Sequence, residues 1–183
     1  MSATTSRIPL LERESVTPET QVIYDALLAQ RGVVPNMFKV LSYNPGVAAA
    51  MAGFLKALLG DGALKGWYKE LVAVRISTLM QSEYAIKAHN ASARKKGASE
   101  EQVAGVADFE KGPYNAKEKL GFRLADRLHR GPKEVDDAFY AELKKEFTDP
   151  ELVELFLTAS AFEMFPRFID GLHIPVTPLP PSK

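Results

Sequence analysis

The chain has 183 residues, 46% hydrophobic and 25% charged, and its 23 basic and 23 acidic side chains cancel to a net charge of zero. That length supports one real hydrophobic core and one domain, and a neutral balance argues against nucleic acid as a main partner, since phosphate binding needs a basic excess or a basic face. There is no cysteine, which excludes disulfides, thiolate nucleophiles, Cys-x-x-Cys redox centres and cysteine-held zinc or iron–sulfur clusters.

Residues 1–11 contain no apolar signal-peptide core. The apolar stretch 47–59 is interrupted by Gly53 and Lys56 and is too short and polar to span a bilayer. A cytoplasmic protein with no membrane association is expected. Thr17 and Pro18 read as the cap and first turn of a helix that Gly32 stops. A short helix follows around 37–41, then a longer one over 45–59 that ends at Gly60-Asp61-Gly62. Helices over about 65–79 and 82–96 come next, the second closed by Gly97. Ser99 with Gln102 forms a capping box opening a helix to about 109, and Asn115 with Glu118 gives a looser version opening one to about 130. After Gly131-Pro132 a helix runs to 147, and Thr148 to Glu151 starts a last one reaching about 172. Four prolines between 175 and 181 predict an extended tail over 173–183. No run alternates in strand fashion, so the fold class is all-α. Glu70-Leu71-Val72 and Glu151-Leu152-Val153, 81 residues apart, form a faint internal echo.

Two helices carry the residues with chemical potential. Glu70 lies among Leu71, Val72, Val74 and Ile76, where desolvation would raise its pKa and suit it to proton transfer near neutral pH. Its alternative is a solvent-facing or ion-paired carboxylate. His89 sits among alanines, with an unperturbed pKa near 6.5 that suits a proton shuttle; a lone helical histidine also serves as a core hydrogen-bonder. Tyr84, five residues earlier on the same helix, can donate a phenol proton or simply pack. Ser82 lies seven residues before His89, about 10 Å along the axis, too far for a serine–histidine nucleophile pair; its simplest role is N-cap, worth about 1 kcal/mol. Arg75 and Arg167 can clamp a substrate carboxylate or tie helices together through Glu70, Glu163 or Asp170. Arg94-Lys95-Lys96 reads as a basic last turn answering the helix dipole. The three histidines lie far apart and form no His-x-x-x-His pair, so no metal site is expected.

The residues from Lys69 to Ser77, then Gln81 to His89, then Gly97 resemble the carboxymuconolactone decarboxylase superfamily, which includes the alkylhydroperoxidase D-like proteins. The redox branch carries a Glu, a Cys-x-x-Cys twelve residues on, and a His four residues after the second Cys. Here the same frame runs from Glu70 through Ser82 and Ala85 to His89, with both thiols gone. The segment from Phe165 to Asp170 resembles the Asn-Arg-Phe segment of longer members. The resemblance covers about residues 45–175, and it implies an alkylhydroperoxidase D-like helical bundle. Its family core would span about 45–130, with an N-terminal helical extension and C-terminal helices over 132–172, in a single domain over 1–183.

The resemblance also shapes the functional expectations. Thiol peroxidase activity is not expected, because a serine hydroxyl forms no disulfide and Ala85 resolves nothing. The Cys-less, cofactor-independent decarboxylases of the superfamily keep the Glu and the His. They imply a cofactor-free lyase acting on a small organic acid or lactone, with Glu70, His89 and Tyr84 catalytic and Arg75 and Ser82 binding substrate. The alternative is a non-catalytic helical protein or small-ligand binder that kept the fold. Apolar helices over 47–59, 65–79 and 150–172 also predict self-association, from a dimer to a hexamer.

Overall fold

The computed structural model describes residues 5–178, and within them lie nine α-helices and no β-strand. The helices are α1 (Pro18–Arg31), α2 (Asn36–Leu41), α3 (Pro45–Leu59), α4 (Gly66–Leu79), α5 (Glu83–Lys95), α6 (Glu100–Gly105), α7 (Ala116–Arg130), α8 (Asp137–Glu146) and α9 (Asp149–Gly171). No described helix is long and apolar enough to cross a membrane. The all-α reading holds, and most helix limits fall within a residue or two of the sequence signals.

Local chemistry explains that agreement. Thr17 accepts the Thr20 N–H at the start of α1, and Gly32 closes that helix at φ 78°, a conformation that costs glycine little. Ser99 and Asn115 both form complete capping boxes, with Gln102 and Glu118 returning the bond. Two limits differ. Past Gly105 the sixth helix tightens into a 3-10 turn at Val106–Asp108. The segment after Gly131 makes only a 3-10 turn at Pro132–Glu134, and α8 begins later, where the Asp136 carboxylate accepts the Phe139 N–H. A capping acid four residues downstream outcompetes the Gly-Pro break as the start signal.

The chain divides into two compact units. One comprises the residues up to Ala57 and those from Phe168 onward. In it Tyr24 and Phe38 are buried, the Tyr24 hydroxyl donates to Leu11 O at 3.0 Å, and the Asn36 N–H donates to Thr177 Oγ1 at 2.9 Å. Residues 174–178 carry no regular secondary structure; the rest of the predicted extended tail, 179–183, lies outside the described residues.

The other unit, Leu58–Arg167, is built on the hairpin of α4 and α5. Ten of the fourteen residues of α4 are buried, so this helix is covered around most of its circumference and forms the core, with Lys69 and Glu70 as charges inside it. Lys69, fully buried, is neutralised by Glu154 of α9 at 2.7 Å, and the same carboxylate caps the N–H groups of Ala63 and Leu64. The Tyr68 hydroxyl donates to Glu118 O at 2.8 Å, and a Cβ at Gly121 of α7 would come within 2.1 Å of that hydroxyl. The internal echo does not extend to environment: Val72 is fully buried, whereas Val153 is 66% exposed.

Candidate functional site

The hairpin turn is tight for a definable reason. At the end of α4 the Ser82 N–H bonds to Ser77 O at 3.0 Å and the Gln81 N–H to Thr78 O at 3.1 Å. This is a Schellman closure with Gln81, at φ 57°, in the left-handed position usually given to glycine. The reversal sets the last turns of α5 against the first turn of α4, and so brings His89, Ser92 and Lys96 to Glu70.

Glu70 is fully buried, and each of its oxygens is occupied. Oε2 faces His89 Nδ1 at 2.6 Å. Oε1 accepts from the Ser92 hydroxyl at 2.7 Å and from Lys96 Nζ, whose ammonium also donates to Leu59 O at 2.7 Å. Gly66 is required beside this knot: a Cβ there would come within 2.9 Å of Leu59 O and 3.3 Å of Lys96 Cδ.

The electrostatics separate the two readings of Glu70, favouring the ion-paired carboxylate over the raised pKa. Burial by itself pushes the Glu70 carboxyl upward, but the hydrogen bonds and charges of His89 and Lys96 overcome it and hold the pKa at about 2. Two cationic or donating partners outweigh desolvation. Glu70 is therefore a carboxylate at neutral pH, not a proton donor. Because an ionised carboxylate only accepts, the proton of the 2.6 Å contact sits on Nδ1, which leaves Nε2 as the ring nitrogen turned to other partners. Nε2 has no hydrogen-bond partner among the described residues. The ring is held from the side by Phe162, edge-on at 4.4 Å between centroids.

Ser82 occupies the N-cap position of α5 but does not cap it. Its hydroxyl is buried, 1% of the residue being exposed, and has no hydrogen-bond partner among the described residues. The capping expectation fails because the Ser82 backbone, closing the Schellman turn at ψ 97°, does not present Oγ to the helix N–H groups. Tyr84 is buried on the first turn of α5.

Arg75 lies elsewhere. Its guanidinium grips Asp126 of α7 bidentately at 2.6 and 2.9 Å, donates to Ala107 O at 2.8 Å and covers the Phe109 ring at 5.0 Å. It does tie helices together, but through a partner not among the three expected. It lines a cavity of about 390 Å³ with Asp126, Arg127 and Phe139, apart from Glu70 and His89. Arg167 pairs with Glu163 at 2.7 Å, but both lie on α9, so this pair does not join two helices as expected. Ser92 escaped the sequence reading and Lys96 was read only as part of a basic last turn, although His89, Ser92 and Lys96 at i, i+3 and i+7 form one helical stripe. No cluster of three His, Asp or Glu side chains suited to a metal occurs among the described residues.

Every polar partner of Glu70 falls between residues 59 and 96. The family model of the carboxymuconolactone decarboxylase family matches residues 45–120. Over that segment the chain is similar to the carboxymuconolactone decarboxylase family. No curated protein matches the chain by sequence. Among solved structures, the chain shares the fold of an uncharacterized peroxidase-related protein from Silicibacter sp. TM1040, with TM-score 0.85 and 20% identity over 97% of this chain and 93% of that one. It is similar to an alkylhydroperoxidase AhpD core protein from Ralstonia eutropha JMP134, with TM-score 0.86 and 21% identity over 95% and 93%. It is also similar to the debrominase Bmp8 in complex with 2,3,4-tribromopyrrole, with TM-score 0.84 and 16% identity over 96% and 94%. The matched segment contains the whole α4–α5 hairpin, and the shared alkylhydroperoxidase D-like fold extends over nearly the full chain.

Proposed function

We propose that this chain is a cofactor-free acid/base lyase acting on a small carboxylated or lactone-type substrate, with His89 as the proton-transfer residue. The observation that carries this reading is the ionised Glu70 fixed on Nδ1, which leaves Nε2 as the working nitrogen. In a decarboxylation the carboxylate's C–C bond breaks, carbon dioxide leaves, and the electron pair stays on the substrate as an enolate. The imidazolium Nε2–H then protonates the carbon, and neutral His89 recovers its proton from solvent. Glu70 keeps its charge throughout and stabilises the imidazolium, so it is a positioning residue. Ser82, with its hydroxyl unspent, is the donor for a substrate oxygen, and Tyr84 is the second donor on the same helix turn. Arg75 is assigned no role in this scheme because its donors are committed to Asp126 and to backbone carbonyls.

The test is a turnover screen of lactone acids and β-keto acids with wild-type protein, Glu70→Gln and His89→Asn. Turnover by the wild type that falls about 10²–10⁴-fold in His89→Asn supports the reading; a wild type equal to the buffer blank overturns it. One observation favours a second reading, a ligand-binding member without catalysis. Both Glu70 oxygens are already consumed by the protein's own donors, as in a structural knot. Under that reading the same substitutions lower stability while binding of the same acids, measured calorimetrically, persists.

A further inference from the structure

The cavity of about 390 Å³ beside Arg75 lies in the Leu58–Arg167 unit, between α7, α8 and the 3-10 turn after α6, and holds neither Glu70 nor His89. Small-molecule sites span roughly 300–1,000 Å³, so its size suits a compact ligand. Phe109 and Phe139, both nearly buried, form its apolar base, and four arginines and four acids line the rest with Ala107. These formal charges cancel. What the cavity can hold therefore depends on which of them the protein has already paired.

Most are committed. Arg75 and Asp126 neutralise each other. Arg123 grips Glu110 with two bonds, at 2.6 and 2.8 Å, and Lys111 answers Asp108 at 2.7 Å. Arg127 and Arg130 are held differently. The Arg127 guanidinium lies 4.0 Å from the Phe139 ring centre and gives one N–H to Glu134 O at 2.8 Å, but its ion-pair partner Asp136 stands at 3.7 Å. Arg130 stands 3.7 Å from the Glu134 carboxylate and makes no hydrogen bond among the described residues. Both distances exceed hydrogen-bond reach. Two guanidiniums three residues apart on one face of α7 thus keep N–H groups uncommitted. On the facing helix, Glu142 has no ion pair among the described residues, although its charge reaches Arg123.

We propose that this cleft binds a small ω-amino acid, its carboxylate on Arg127 and Arg130 and its ammonium on Glu142. Uncommitted positive groups stand on one wall and an uncommitted negative group on the other. A simple carboxylate would satisfy the first and be repelled by the second, and a simple amine would do the reverse. A zwitterion answers both walls, and charge-assisted hydrogen bonds at each end fix its direction. The two ends belong to different helices, and packed helices keep their axes about 8–10 Å apart, more than a carboxylate and an ammonium on one carbon can bridge. A short methylene chain spans it, and Phe139, one turn before Glu142 on α8, gives that chain an apolar contact. Arg127, Arg130 and Glu142 touch neither Glu70 nor His89, so this binding stands apart from the proposed catalysis.

The test is titration calorimetry of the whole chain with β-alanine, γ-aminobutyrate and δ-aminovalerate, beside butyrate and butylamine. At least one of the three zwitterions is expected to bind once per chain, about tenfold or more tighter than either singly charged compound. Arg130→Gln and Glu142→Gln, at exposed positions and with no hydrogen bond of their own to lose, are each expected to weaken that zwitterion about tenfold, with unchanged helical circular dichroism. The wild-type series decides the charge pattern without any variant. Absence of saturable binding by all three zwitterions overturns the proposal. So does butyrate or butylamine binding as tightly as the best zwitterion, or a folded Glu142→Gln protein with unchanged affinity for it.

Discussion

His89 Nδ1 lies 2.6 Å from Glu70 Oε2, and since the carboxylate is ionised the shared proton belongs to the imidazole. One contact thus decides tautomer, ring orientation and which nitrogen is open to chemistry. Removing either partner has different consequences. Glu70→Gln leaves Lys96 without its counter-charge and is expected to cost about 1–3 kcal/mol in denaturant unfolding. His89→Asn, which leaves the Lys96 and Ser92 contacts in place, is expected to cost less. Equal losses would contradict the central place given to the carboxylate.

Stability should depend on pH through Glu70 in a stated direction. The folded pKa of about 2 lies below the ordinary carboxylate value of 4.5, so the folded state binds this proton less readily than the unfolded chain. The contribution, about 3 kcal/mol at most, is fully present above pH 5 and is lost as pH falls from about 5 toward 2. The unfolding midpoint of wild type is expected to fall more steeply over that interval than that of Glu70→Gln. Parallel curves would refute the assignment.

Ser82→Ala separates two roles cleanly. A capping serine would lose about 1 kcal/mol on truncation. A buried hydroxyl without a partner carries a desolvation cost instead, so Ser82→Ala is expected to be neutral or to raise stability by up to about 1 kcal/mol. Any turnover found should fall in the same variant, through a weaker grip on substrate oxygen.

Arg75 and Asp126 are expected to behave as a structural couple. Their side chains are 13% and 20% exposed, so Arg75→Ala should destabilise by about 3 kcal/mol. A double-mutant cycle with Asp126→Ala should show strong coupling. Independent, additive losses would remove the pair from the account of what joins α4 to α7.

Peroxide turnover coupled to dithiol reductants is expected at the buffer level, since Ser82 and Ala85 stand where a thiol pair would be needed. Catalytic consumption of hydroperoxide above that level would require a different oxidisable group.

The caps at Thr17, Ser99 and Asn115 were legible because the donor and acceptor lie within three residues of one another. The Glu70–His89 pairing was legible only through the resemblance, since nothing local in α4 announces what a buried carboxylate will meet. Lys96 was read as a basic helix end; the same position also lets its long stem reach Leu59 O and Glu70. The carboxylate's low pKa follows first from His89 and then from Lys96, whose reach the sequence reading missed. The partner of Arg75 lay 51 residues away, beyond any periodicity argument, and Ser82 failed as a cap because a Schellman turn with Gln81 claimed its backbone.

The ligands of Glu70 stand 19, 22 and 26 residues from it, and the second acceptor of Lys96 stands 37 from that lysine. Closing loops of that size costs the chain little entropy, so this knot of charges is a short-range construction, available as soon as α4 folds back on α5. Phe162, which steadies the imidazole, comes 73 positions after it and arrives with α9. Loop length alone predicts an order of assembly, in which the hairpin closes with its carboxylate neutralised and the aromatic wall joins later. Weakening the knot should therefore slow folding, whereas trimming Phe162 should chiefly hasten unfolding.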